Sequence, residues 1–155
     1  MMEFQVEFSK VLSPNDVGET KSHQAGFLVP IRIAKLGFFP KLDVFTPNPR
    51  QSMEFVVVDS HSKLILNYIY YNGRTLGFSS RNEYRLTGAT RFIKNMELKA
   101  GDQLCFGWAG KDLHALKPIK SERESVDCGW DSKMAEKGIF VTENGWRIKE
   151  RSGND

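Results

Sequence analysis

Arg81, Glu83 and Arg85 stand two residues apart in the run Arg81-Asn82-Glu83-Tyr84-Arg85. In an extended backbone alternate side chains share a face, so this run sets two guanidinium groups around one carboxylate. Arginine can donate two parallel hydrogen bonds to guanine O6 and N7, and a carboxylate can accept from the cytosine N4 amine. Such a face therefore has the chemistry to read a G·C pair from the major groove. A solvated surface strand whose charges compensate one another across a sheet has the same composition, and the five residues by themselves leave that plainer reading open.

The charge around them is uneven. The chain of 155 residues has a formal net charge of +3. Residues 1–118 hold 15 Lys/Arg against 11 Asp/Glu, residues 119–155 hold 7 against 8, and Arg74 to Lys94 holds five bases and one acid. That gradient favours an anionic partner for the first part of the chain. An apolar content of 40% suffices for the core of one domain. The two cysteines, Cys105 and Cys128, show no CxxC and no paired Cys/His spacing, so neither a zinc site nor a disulfide framework is expected. No stretch approaches about 18 apolar residues, and Met1 to Lys10 is acidic and amphipathic rather than basic then apolar. A cytoplasmic protein without a membrane span or signal peptide is the expectation.

Short strands would have to position these side chains. Phe4-Gln5-Val6-Glu7-Phe8 alternates apolar with polar, Phe27-Leu28-Val29 and Phe55 to Val58 read as strands, and Leu64 to Tyr71 is rich in Ile, Leu and Tyr. Gln103 to Trp108 alternates again, and Leu113 to Leu116 continues the pattern. Pro30 to Leu36 reads as a short helix with proline at its start and Gly37 near its end. Two long polar excursions interrupt these elements, Ser13 to Gly26 and Asn72 to Thr90, and loops of that length in a compact domain are commonly functional. The first carries His23 and Gln24, both able to hydrogen-bond bases, beside Lys21 and Ser22. His23 is also readable as an ordinary loop histidine, and Asn15-Asp16 as residues that fix the loop through side-chain to backbone bonds. About seven short strands with one or two short helices predict a mainly β barrel or sandwich over residues 1–118. Residues 119–155 read as a polar tail in which Asn144-Gly145, between Ile139-Phe140-Val141 and Trp146-Arg147-Ile148, signals a hairpin. That hairpin is either appended or the start of a connection to a further domain.

Leu12-Ser13-Pro14-Asn15-Asp16-Val17-Gly18-Glu19-Thr20-Lys21-Ser22-His23-Gln24-Ala25-Gly26 resembles the signature LSxNDxGxTxxHQxG of the amino-terminal effector domain of the restriction endonuclease EcoRII and its relatives. Ile69-Tyr70-Tyr71-Asn72, followed by Arg81 to Thr87, is similar to the second signature of that family. The resemblance anchors roughly residues 8 to 90. It implies a DNA-binding pseudobarrel of the plant "B-three" type, in which two arms grip duplex DNA from the major-groove side. By position the first arm is Asn15 to Gly26 and the second about Arg74 to Thr87. The resemblance places Lys10 and His23 near DNA, and Arg81, Glu83 and Arg85 at base-reading or DNA-contacting positions. On this reading Lys10, Lys21 and Arg74 hold phosphates, which sets register without specifying sequence. Asn15, Asp16, Thr20, Ser22, Asn82 and Tyr84 are backbone-contacting or arm residues, and His23 and Gln24 face base edges beside Arg81, Glu83 and Arg85. Tyr84 stands where the family has lysine, Gly88-Ala89 where it has arginine and tryptophan, and Lys21-Ser22 where it has a glycine pair, so the outer contacts differ from the family's.

Two other readings compete. Glu97-Leu98-Lys99 matches the E-x-K half of a restriction-enzyme metal site, with Asp59 at the end of an upstream strand, which would make a small stand-alone Mg²⁺-dependent nuclease. A β-barrel module whose long loops bind protein or sugar is the other. The expectation adopted is a monomeric, non-catalytic recognition domain with no cofactor of its own. It would read a short palindrome like 5′-CC(A/T)GG in double-stranded DNA, with Mg²⁺ belonging to a nuclease domain of the parent restriction endonuclease.

Overall fold

Period-two patterning becomes strand wherever the sequence carries it. The computed structural model describes residues 3–19, 26–121, 139–143 and 145–150, with the backbone alone for 139–143 and 149–150. The strands are β1 (Phe4–Val11), β2 (Phe27–Val29), β3 (Arg50–Val57), β4 (Lys63–Tyr71), β5 (Glu83–Thr87), β6 (Gln103–Ala109), β7 (Leu113–Ile119), β8 (Ile139–Glu143) and β9 (Trp146–Glu150). Three short helices join them, α1 (Ile31–Ala34), α2 (Gly73–Leu76) and α3 (Thr90–Asn95). Pro30, extended at φ −60° and ψ 148°, opens α1.

All the strands belong to one sheet in the order β2-β5-β4-β3-β7-β6-β1-β9-β8. Neighbours pair antiparallel except β3 and β7, which run parallel over Val56–Val57 and Ala115–Leu116. β2 lies at one end of this order and β9 close to the other. The indole Nε1 of Trp146 on β9 nevertheless donates to the Leu28 carbonyl on β2 at 2.8 Å. The sheet curls until a side chain joins its two ends, which makes it a mainly β pseudobarrel.

The enclosed core is aromatic. Phe8 stacks on Phe106 with centroids 5.2 Å apart and meets Phe38 edge-on at 5.0 Å, while Trp146, Phe55, Leu66 and Leu86 are buried around them. Phe4, Val6 and Phe8 share a parity, yet they do not share a face. A bulge at Glu7 shifts the register between Val6 and Phe8. Phe4 and Val6 consequently pack on Cys105 and Ile119 outside the main core, and Phe8 enters it. Cys105 is disulfide-bonded, against the expectation of no disulfide. No helix among the described residues is long and apolar enough to cross a membrane.

One aromatic column runs across β4 to β5. Phe39 stacks on Tyr68 at 4.4 Å, Tyr68 on Tyr84 at 5.5 Å, and Tyr84 on Tyr70 at 4.3 Å. Burial raises the Tyr68 phenol, with Tyr84 adding to it, and burial followed by Tyr70 raises Tyr84. A folded-state phenol held above its unfolded value of 10.0 contributes stability that is present below pH 10 and lost as pH rises further. Denaturation midpoints are therefore expected to fall above pH 10, and Tyr84→Phe should make that fall shallower; an unchanged slope in the variant would remove the phenol from the account.

Candidate nucleic-acid interface

The loop expected as the second arm, between β4 and β5, is closed and internally bonded. Asn72, fully buried, ends β4 and pins the preceding 43–49 loop. Its amide donates to the Val44 and Thr46 carbonyls at 2.9 and 2.8 Å, and its carbonyl accepts from the Asn48 N–H at 2.9 Å. Further along, the Thr75 N–H donates to Asn82 Oδ1 at 3.1 Å and Asn82 Nδ2 donates to Thr75 Oγ1 at 2.7 Å. The Arg74 N–H reaches the Arg81 carbonyl at 3.2 Å. Asn82 is thus a brace across the arm. At about 1 kcal/mol for each bond, Asn72→Ala should cost on the order of 3 kcal/mol in chemical denaturation. Asn72→Asp should be no better, since it sets carboxylate oxygen against two carbonyls. A cost near zero for either would show the loop to be held by other means.

At the base of that arm the three charged residues meet. Tyr84 and Leu86 of β5 belong to the core, so Glu83 and Arg85 project from the opposite face. Arg85 Nε donates to Glu83 Oε2, Arg81 NH1 lies 4.0 Å from Glu83 Oε1, and Arg85 NH1 reaches the Gly26 carbonyl at 3.4 Å. The Arg81 side chain is 71% exposed, whereas Glu83 is 17% and Arg85 10% exposed. Arg81 is accordingly presented to solvent, Glu83 sits between two cations, and Arg85 is buried and fixed in place. In register, Leu28, Arg85, Ile69 and Arg50 line up across β2, β5, β4 and β3. Ser52 and Asn67, bonded at 2.9 Å, lie opposite Thr87 in the next row.

The loop expected as the first arm leaves β1 and returns into β2 beside β5. At its entry Lys10, which shares the inward face with Phe8, is only 5% exposed and pairs with Asp16 at 3.0 Å. Asp16 Oδ2 also accepts from the Ser13 N–H at 2.8 Å, and the Asp16 N–H donates back to Ser13 Oγ at 3.1 Å. At the exit, Gly26 has φ +76°, and a Cβ there would lie 2.3 Å from the Leu86 carbonyl oxygen. Only glycine lets the arm come down this close to β5. Thr20, Lys21, Ser22, His23 and Gln24 lie outside the described residues.

Three expectations need correction. Lys10 is bound to Asp16 and to the Val11 carbonyl at 3.0 Å, so its charge braces the arm and is not offered to a phosphate. Tyr84 stacks between Tyr68 and Tyr70 because it opposes Tyr70 across β4 and β5, which turns it inward and away from any ligand of the outer face. Asn72 to Thr90 is not one excursion, since β5 lies inside it as a strand second from the sheet end. Arg74 is exposed on α2 and Asn15 exposed in the first arm. Asn72 and Trp146 were not singled out by their residue types; the signals available were the asparagine that closes an apolar strand and the Trp146–Ile148 alternation.

Glu97 follows α3 at φ +55° and, with Lys99, lines a surface cavity of about 710 Å³ beside Asp16, Val17 and Gly18. Asp59 lies in the turn after β3 and does not line it. Among the described residues, no three His, Cys, Asp or Glu side chains are grouped to hold a metal ion.

A family model described as the N-terminal part of restriction endonuclease EcoRII matches residues 3–103. Among solved structures, the chain is similar to that of the Arabidopsis FUS3–DNA complex, with 17% identity over 75% of this chain and 98% of that one and a TM-score of 0.57. It is similar also to the B3 domain of the UbaLAI restriction endonuclease, crystallised with cognate DNA, with 24% identity over 78% of this chain and 71% of that one and a TM-score of 0.51. No curated protein sequence matches significantly.

Proposed function

Because the chain belongs to the family of EcoRII restriction-endonuclease N-terminal domains, we propose that it binds double-stranded DNA sequence-specifically as the recognition domain of a restriction endonuclease. The observation that carries this reading is the Arg81–Glu83–Arg85 cluster. It stands on the outer face of β5, at the base of one arm and beside the glycine through which the other returns. The fold it shares with two domains solved on DNA supports the same reading.

In this scheme Arg81 and Glu83 face base edges and Arg85 orients Glu83 and lends a guanidinium edge to a base or adjoining phosphate. His23 and Gln24 read bases from the first arm. Arg74 and Lys21 hold phosphates, which sets register without specifying sequence, while Asn15, Thr20 and Ser22 shape the first arm. A short palindrome like 5′-CC(A/T)GG, with one arm on each half, suits two arms of different sequence on one monomeric domain in the cytoplasm. The domain carries no cofactor of its own, and Mg²⁺ belongs to the cleavage domain of the parent.

Selection of bound sequences from random duplexes, run in EDTA and followed by incubation with Mg²⁺, tests it. One enriched short motif and no cleavage is the expected result. Cleavage that disappears in Glu97→Ala would replace this reading with a stand-alone nuclease, and no enrichment would leave a barrel that binds something other than DNA.

A further inference from the structure

We infer that the β8–β9 hairpin is a buttress for the first arm and that Trp146 is the residue that positions it. The hairpin lies beyond the residues that match the family, which end at 103. It nevertheless touches the first arm at both of its roots. At the entry, the Val11 N–H donates to the Gly145 carbonyl at 2.7 Å, and β9 pairs with β1 from Phe8 to Lys10. Gly145 has φ +85°, and a Cβ there would lie 2.8 Å from Lys10 Nζ and 2.9 Å from the Val11 carbonyl oxygen, so the turn is seated directly on the arm's entry.

At the exit, Trp146 Nε1 donates to the Leu28 carbonyl at 2.8 Å, and the same ring stands edge-on to Phe27 at 6.4 Å. The Lys10 ammonium, which holds Asp16, lies 6.0 Å from the centre of that indole. A single buried side chain thus fixes the separation of the two strands from which the arm springs. β2 is a three-residue strand at the sheet end, paired among the described residues with β5 alone. The indole bond supplies the restraint that a second strand would otherwise give. A loop of fifteen residues from Leu12 to Gly26 can place base-reading groups reproducibly only if its roots are fixed.

The inference rests on the DNA reading above, and its test separates the two. Trp146→Phe keeps an aromatic ring but removes the indole N–H, and Gly145→Ala disturbs the seat on the arm without entering the core. The full chain and both variants would be compared on the selected duplex and on versions substituted at each base pair. His23→Ala identifies the first-arm positions and Glu83→Ala the second-arm ones. Both test variants are expected to lose about tenfold in discrimination at first-arm positions while keeping it at second-arm positions. An equal loss at both sets, or none, overturns the positioning role. Amide exchange of the free protein gives a readout independent of DNA. Exchange should quicken over residues 11–29 and stay unchanged over β3 and β4, and unchanged exchange over 11–29 overturns the inference even if the wild type shows no sequence preference. Should Trp146→Phe fail to fold, Gly145→Ala carries both measurements.

Discussion

Between 50 and 200 mM salt, affinity for duplex DNA should fall on the order of a thousandfold, because engaging about six phosphates releases that many condensed counterions. The arrangement of cations makes this more than a generic expectation. Arg74 and Arg81 are exposed and offered to solvent, whereas Lys10 is buried against Asp16 and Arg85 against Glu83. Arg74→Ala should therefore flatten the logarithmic salt slope by about 1 and weaken cognate and random duplex alike. Lys10→Ala should leave the slope intact and instead lower thermal stability, since Asp16 loses the partner that its burial requires. Titrations of both variants at several salt concentrations decide the matter. Equal affinity of the wild type at the two salts would end the DNA reading altogether, and a flattened slope in Lys10→Ala would return that lysine to the phosphate contacts.

Strands written in apolar or alternating runs were legible in the sequence: β2, β6 and the apolar body of β4 fall where those runs place them. The charged face of β5 was legible from the spacing of Arg81, Glu83 and Arg85, but its place inside the sheet was not. Glu83 and Arg85 on that face are charged and Gly88 follows, so the segment around it reads as one polar excursion. Lys10 illustrates a different limit. Its parity with Phe8 pointed it inward, but only the fold reveals that Asp16 comes round to neutralise it there. Tyr84 follows the same rule, since the alternation that turns Glu83 and Arg85 outward must turn Tyr84 toward Tyr68. The part played by Trp146 was least legible of all. A hairpin signal gives a local turn, whereas the bond from Trp146 to Leu28 spans 118 residues and depends on how far the whole sheet curls.

Glu83→Ala should lose about 1 to 3 kcal/mol for the selected site while keeping or gaining affinity for random duplex, so that the ratio of the two collapses. A carboxylate on a merely electrostatic surface repels phosphate, and deleting it tightens binding everywhere. A base reader behaves in the opposite way at its cognate site, because the cytosine amine it accepted from is left without a partner. Glu83 also holds Arg85, whose side chain is 10% exposed, so the alanine variant releases that guanidinium as well. Glu83→Gln separates the two effects. Its carbonyl can still accept from Arg85 Nε, preserving the fold, while its amide adds a donor that suits adenine N7 paired with acceptance from N6. The glutamine variant should hold a near-native thermal midpoint and shift preference at one base pair from G·C toward A·T. Equal tightening on both DNAs in Glu83→Ala, with no shift of preference in Glu83→Gln, would make the carboxylate a solvated ion-pair partner and withdraw base reading from the whole of Arg81 to Arg85.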